Sequence, residues 1–239
     1  MELSNQCKEV ILGSLLGDGS LIMRKRYRRA RFEIRHSIIQ KEYFFWKAKR
    51  LKEISGKNCC RLQPADGWSK NEKLHYHSMS GDWLTNLYQR THQKDEFVIS
   101  RSWLNDLTPT SLLVWWLDDG SLIKNSRQGV FCTEGFNRQN ILALSRCLKN
   151  KWNIATHISR RGKYNQLKIY STEELKKFLR IILPFLQVKE MLPKVLLLYK
   201  DQQLQKRWIS EVRKLTGFSE RIIVKYVKQK RSRWKNFRE

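Results

Sequence analysis

The sequence contains no apolar run near the ~18–20 residues needed to cross a bilayer, and its hydrophobic stretches are broken by charge. No membrane-spanning segment is therefore expected. The five cysteines, Cys7, Cys59, Cys60, Cys132 and Cys147, are odd in number and form no CxxC pair. That argues against a disulfide framework and for reduced, buried thiols in an intracellular protein. A zinc site from Cys59, Cys60, His75 and His77 can be drawn, but adjacent cysteines chelate one ion poorly. No secretory signal or arginine-rich transit segment precedes the first apolar run. The expected location is the compartment of synthesis, an organelle (chloroplast or mitochondrion) or a prokaryotic cytoplasm. Acidic residues are scarce, with 22 Asp+Glu against 48 Lys+Arg and a formal charge of +26. Such a charge repels itself in a compact fold and implies a polyanionic partner, most simply nucleic acid, with an acidic membrane surface as the competitor.

What the chain does have is a repeat. Ile11-Leu12-Gly13-Ser14-Leu15-Leu16-Gly17-Asp18-Gly19-Ser20-Leu21 returns as Leu112-Leu113-Val114-Trp115-Trp116-Leu117-Asp118-Asp119-Gly120-Ser121-Leu122, with Asp18 and Asp119 101 positions apart. Each copy reads as a buried helix ended by the glycine after the aspartate. A carboxylate there opposes the negative end of the helix dipole. Breaking a local rule twice marks a functional site. If the two helices pack side by side, the carboxylates converge and a divalent cation is the natural relief.

Between the motifs the pattern alternates. Residues 20–23 and 30–36 read as paired strands, with Phe32 and Ile34 on one face and Arg31, Glu33 and Arg35 on the other. Residues 40–54 read as an amphipathic helix with Tyr43, Trp46, Leu51 and Ile54 near its buried stripe. Residues 58–63 and 73–80 form a second hairpin, with Lys73, His75 and His77 opposite Leu74 and Tyr76. A short helix (82–88) and a polar connector (90–101) close the first half. The second half repeats the order: a helix capped by Thr108 and opened by Pro109, strands at 121–124 and 129–133, a helix over 137–152, strands at 154–160 and 166–170, and a helix from Ser171 to about 183. The expected fold class is α+β, with two pseudo-symmetric α-β-β-α-β-β-α repeats (1–100 and 101–200). Their antiparallel sheets have one apolar and one basic face suited to a groove of DNA.

The run Leu107-Thr108-Pro109-Thr110-Ser111-Leu112-Leu113-Val114-Trp115-Trp116-Leu117-Asp118-Asp119-Gly120 resembles the "LTPxSLAxWxMDDG" motif of one branch of the LAGLIDADG homing endonuclease family. Phe131-Cys132-Thr133-Glu134-Gly135-Phe136 is similar to that branch's "T-x-x-F" segment. Leu183-Pro184-Phe185-Leu186 with Met191-Leu192-Pro193-Lys194 is similar to its "IxPYxxPxMxYKL" block. The resemblance covers roughly residues 5–200. It implies a pseudo-symmetric, single-chain nuclease acting as a monomer on double-stranded DNA; the opening Met and the lack of splicing-block motifs lean towards an intron-encoded rather than an intein-borne protein. It implies that Asp18 and Asp119 each bind Mg²⁺ (Mn²⁺ can substitute) beside a scissile phosphate, with Gly17 and Asp118 completing the metal-binding set. Two-metal hydrolysis across the minor groove would leave short 3′ overhangs. The family's basic residue near each metal falls on Lys194 in the second half, with Lys189 the runner-up. In the first half it falls on Lys94, after a small shift from the ungapped count. In packing, the first motif has Gly13, Ser14 and Gly17, whereas the second has Val114, Trp115 and Asp118, so the small-residue contact is one-sided.

The expected DNA-facing residues of the first half are Arg24, Arg26, Arg28, Arg31, Arg35, Lys73, His75 and His77. In the second half they are Lys124, Arg127, Arg160, Lys163 and Lys168. For any one of them a solvated charge is the plainer account than base readout. Beyond residue 200 the resemblance stops. Helices at 204–215 and 220–231 form a basic extension, read either as a helix–turn–helix module or as a basic tail ending in the solvated run 228–233. The expected activity is site-specific DNA cleavage; the alternative is an RNA maturase assisting splicing of its host intron RNA.

Overall fold

Each Asp-Gly-Ser-Leu segment stands where an apolar helix gives way to a strand. In the computed structural model, which describes residues 2–24, 28–65, 70–94, 96–124 and 126–233, the chain divides into two compact units, 1–118 and 119–239.

In the first unit, α1 (Asn5–Leu15) starts where the Ser4 hydroxyl accepts the Cys7 N–H. It ends earlier than expected. The N–H groups of Leu16 and Gly17 turn back to the carbonyls of Gly13 and Ser14, tightening the last turn. Asp18 therefore lies in the turn before β1 (Gly19–Ile22) rather than on the helix. Then come β2 (Arg31–Ser37), α2 (Lys41–Arg50), β3 (Ser55–Gln63), β4 (Lys73–Ser78) and α3 (Asp82–Thr91). The strands form one antiparallel sheet in the order β1-β2-β4-β3. Phe32, Ile34, Leu74 and Tyr76 share its buried face, and burying each of the larger of these contributes about 1.5–3 kcal/mol.

The expected connector at 90–101 is instead ordered. It holds a hairpin, β5 (His92–Gln93) with β6 (Glu96–Phe97), followed by α4 (Arg101–Leu104). His92 stacks on Tyr88 at 4.0 Å between ring centroids and meets Phe97 edge-on at 5.5 Å. These isolated aromatics have no period to betray them in a polar stretch. Next, α5 (Pro109–Asp119) begins where Thr108 Oγ1 accepts the Ser111 N–H at 3.3 Å.

The one-sided glycine pattern turns out to be complementary. A Cβ on Gly13 would lie 2.4 Å from the Ser111 carbonyl oxygen and 2.7 Å from Val114 Cβ, and one on Gly17 would lie 2.4 Å from Asp118 Cβ. The bulk of α5 fills notches that the glycines of α1 leave. Because the obstacle at Gly13 is backbone, Gly13→Ala should destabilise the protein by about 1–3 kcal/mol. A urea midpoint unchanged by this substitution would show that the helices do not meet so closely.

In the second unit, β7 (Gly120–Ile123), β8 (Gln128–Phe131), α6 (Arg138–Trp152), β9 (His157–Arg161), β10 (Tyr164–Ile169) and α7 (Thr172–Ile182) repeat the order. The sheet runs β7-β8-β10-β9, again antiparallel. Asn137 and Ser171 cap the two helices, and Asn153, at φ 54°, stops α6. Both halves thus have the α-β-β-α-β-β-α order expected from the sequence, and the fold class is α+β. The extension is α8 (Gln202–Thr216) and α9 (Glu220–Ser232), separated at Gly217, where φ is +73°. Within this unit α8 packs on the 3-10 turn Leu183–Phe185 and α9 on the 3-10 turn Lys189–Lys194. Among the described residues no helix is long and apolar enough to cross a membrane.

Candidate nuclease site and nucleic-acid interface

In the first unit the chemistry gathers at the end of α1. One ligand atom each from Asp18, His36 and Asp118 lie within 4.8 Å of one another. Asp118 is not available as an ordinary ligand. Its side chain is wholly buried, and Lys47 Nζ donates to both carboxylate oxygens at 2.7 Å. Tyr43 OH donates to Oδ1 at 2.8 Å, and the Asp18 N–H donates to Oδ2 at 3.2 Å. The ammonium of Lys47 has taken the place a cation would hold beside Asp118. Asp18, by contrast, keeps an exposed side chain, 39% accessible. A solvent-accessible carboxylate of this kind suits a hard, oxygen-seeking divalent cation.

His36 links the two acids. Its Nε2 lies 3.2 Å from Lys47 Nζ, and its Nδ1 lies 3.4 Å from Asp18 Oδ2. An ammonium can only donate, so Nε2 accepts and Nδ1 carries the proton facing Asp18. The ring is also packed edge-on against Tyr43 and Phe44. Sequence reading missed both His36 and Lys47. A signal existed for Lys47: it sits four residues after Tyr43 and four before Leu51, on the helix face that points inward.

Lys94, the expected basic partner of Asp18, is exposed in the turn of the β5–β6 hairpin, with φ at +49°. In the second unit, Asp119 ends α5 and its carbonyl accepts the Cys132 N–H at 3.0 Å. Burial raises the Cys132 thiol first, and the carboxylates of Glu134 and Asp119 push it further up, whereas Lys194 and Arg161 pull it down. The 3-10 turn Lys189–Lys194 packs against β7, the strand that follows Asp119 directly, and this places Lys194 in the same part of the second unit. Lys189 is more than half exposed, with Glu190 at 3.9 Å as its acidic neighbour. Where the first unit has His36, two positions past the residue opposite Gly19, the second has Thr133, whose hydroxyl donates to the Asn165 carbonyl.

The polar face of the first sheet is a network around Glu33, which is 4% exposed. Arg31 contacts one carboxylate oxygen at 2.5 Å, His75 Nε2 lies 3.1 Å from the other, and Arg35 stands at 3.9 Å. Arg61 Nε donates to His75 Nδ1 at 2.9 Å, so Nε2 of that ring carries the proton and donates to Glu33. Burial lowers the His75 pKa against the opposing pull of Glu33. His75 is therefore a buried connector, and Lys73 and His77 flank it on the same face. Arg24, Arg28 and Arg35 are exposed, and Arg26 lies outside the described residues.

On the second sheet Lys168 pairs with His157, and Gln166 with Ser159, on one face. The register places Arg161 on that face, whereas Arg160 falls opposite Asn165, on the side of Leu167 and Ile158. Lys124, Arg127, Arg160 and Lys163 are exposed near the strand ends. An error of one position in a strand boundary decides between Arg160 and Arg161.

Residues 8–178 match the family model described as the LAGLIDADG DNA endonuclease family. The chain belongs to this family. Its relatives include DNA endonuclease I-ChuI of Chlamydomonas applanata, 27% identical over 175 residues that span 67% of this chain and 79% of that one. They also include the cytochrome b mRNA maturase bI2 of Saccharomyces cerevisiae, 25% identical over 189 residues, 74% of this chain and 44% of that one. The mycobacterial relatives are named RecA, and the chain spans less than half of their length. The solved structure of the homing endonuclease I-WcaI bound to its DNA recognition sequence shares the LAGLIDADG fold, with a TM-score of 0.73 and 19% identity, covering 83% of this chain and 89% of that one.

Proposed function

We propose that the protein is a site-specific double-strand DNA endonuclease, working as a monomer. The observation that carries this reading is the pair Asp18 and Asp119, each placed where a motif helix enters a sheet with a basic face. Asp18 in the first repeat and Asp119 in the second would hold Mg²⁺, or Mn²⁺ in its stead, with the backbone at Gly17 adjoining the first. When bound, such an ion supplies an acidified water and stabilises the leaving oxygen. The chain's own residues do the positioning. The buried His36 ring stands with Nδ1 3.4 Å from Asp18 Oδ2 and so bounds one side of that carboxylate. Asp118 serves as the anchor of Lys47 and not as a ligand, because both its oxygens are already occupied. Lys194 is the basic group assigned to the Asp119 side, where it would polarise solvent or the departing oxygen. The basic sheet faces would track the duplex backbone, with Arg31, Arg35, Arg61, Arg161 and Lys168 reaching base edges. Cleavage across the minor groove would leave short 3′ overhangs.

The test is incubation of the purified chain and Mg²⁺ with plasmid carrying the DNA that flanks its reading frame. Linear product at one site is expected, and intact plasmid at every metal concentration would overturn the reading. The charge predicts the binding behaviour too. The logarithm of DNA affinity should fall with log[salt] by about 0.9 per phosphate neutralised. If about 6–10 phosphates are held, affinity drops about 10³–10⁵-fold between 50 and 200 mM salt. A flat salt titration in a filter-binding assay would contradict backbone tracking.

The likeness to the yeast maturase favours a second reading, RNA maturase activity on the same scaffold. Splicing of the host intron that persists in an Asp18→Asn, Asp119→Asn variant would establish it as separate from cleavage.

A further inference from the structure

Within the basic run 228–233, Lys228 and Arg233 are exposed but Lys230 and Arg231 turn inward. Lys230 Nζ, on α9, donates to the carbonyl of Pro193 at 2.7 Å and to that of Leu196 at 2.9 Å. These two carbonyls bracket Lys194. Its neighbour Arg231 donates from Nη2 to the Tyr199 carbonyl at 2.7 Å and to Gln205 Oε1 at 3.1 Å. Gln205, on α8, is 5% exposed; its Oε1 also accepts the Tyr199 N–H at 3.0 Å, and its Nε2 donates to the Leu197 carbonyl at 3.2 Å. Residues 195–198 are irregular yet almost wholly buried. Buried backbone outside helix or sheet is costly unless its polar groups find partners. Here the extension supplies them, through three side chains on α8 and α9. Trp208, Ile209, Val212, Ile223 and Val227 bury the apolar faces of the same two helices. Burial pulls the Lys230 ammonium down to about 7. A lysine held at that cost for the sake of two carbonyls points to positional work.

We propose that the C-terminal extension is a splint for the second repeat's basic residue: Lys230 holds the turn that presents Lys194 on the Asp119 side. Lys230 is a positioning residue in this scheme, and it touches no reacting atom. The inference rests on the reading of Lys194 as that basic residue, and the experiment separates the two.

Full-length Lys230→Met, Lys230→Gln, Lys194→Met and Lys194→Met with Lys230→Met would be compared in single-turnover cleavage, scoring each strand. Amide hydrogen exchange over residues 195–199 would be followed in parallel. Lys230→Met should slow, by about tenfold, cleavage of the strand that Asp119→Asn protects, leave the other strand unchanged and preserve DNA affinity. Lys230→Gln, which retains an N–H donor, should recover part of that loss. In the Lys194→Met background Lys230→Met should add nothing. Exchange over 195–199 should quicken in Lys230→Met, a readout that needs no cleavage and no metal. Should Lys194→Met slow cleavage while Lys230→Met leaves both strands and the exchange unchanged, the splint is overturned. Should Lys194→Met leave cleavage unchanged, the assignment of Lys194 fails instead. Equal slowing of both strands with loss of DNA affinity would mean general unfolding and would also overturn the proposal.

Discussion

Asp18→Asn should leave DNA binding intact and convert double-strand cleavage into nicking, with Asp119→Asn nicking the opposite strand. The physical reason is that asparagine keeps the shape of aspartate and removes the charge a divalent cation needs. Asp18 is exposed and its backbone N–H bonds to Asp118, so the turn survives the change. Losing several kcal/mol of metal-borne stabilisation corresponds to at least about 10³-fold in rate for the strand concerned. A supercoiled plasmid bearing the target reports all three outcomes on one gel: linear for the parent, open circle for each single variant, unchanged for the double. Linear product at the parental rate from Asp18→Asn would remove that residue from the site. The double variant should bind its target with unchanged affinity, because in the proposed reading the basic sheet faces, and not the aspartates, hold the phosphates.

The second large effect is on stability. Lys47→Met should destabilise the fold by about 3–5 kcal/mol, because it strands the Asp118 carboxylate in the interior without its ammonium. Asp118 is wholly buried, and both of its oxygens are bonded to Lys47. Neutralising the two together, as Lys47→Met with Asp118→Asn, should restore most of that loss, since replacing a buried pair is often close to neutral. Thermal melts of the three variants measure the non-additivity directly. Equal and additive losses would mean that the contact is incidental. The neutral pair also releases His36 Nε2 from its donor, so its single-turnover rate should fall although its stability recovers.

Lys47 shows why part of the site was hidden from the sequence. A lysine in an amphipathic helix counts as a solvated charge, and only the neighbour that arrives from α5 makes it interior. Asp118 is the mirror case. It is adjacent to Asp119 in the chain and looks like a second metal ligand, yet it faces Tyr43 and Lys47. Gly13 and Gly17 had a visible purpose, close helix approach, but their complements Ser111, Val114 and Asp118 are about a hundred residues away. The β5–β6 hairpin escaped notice because two-residue strands carry no period. The extension forms the two expected helices, and its basic run is solvated at Lys228 and Arg233 but not at Lys230 and Arg231, which donate inward.

Local pattern alone determined the two repeats, their α-β-β-α-β-β-α order, the alternation that sorts apolar from basic sheet faces, and the two aspartates that stand where a motif helix gives way to a strand. Each of these depends on neighbours within a few residues, where periodicity and capping act. Tertiary structure decided which charges are buried, that His36 stands beside Asp18, that Arg161 shares the face of Lys168, and that α9 holds the turn of Lys194. Those outcomes depend on the partners that long-range packing delivers, because a side chain's charge state, tautomer and exposure belong to its surroundings and not to its position in the chain.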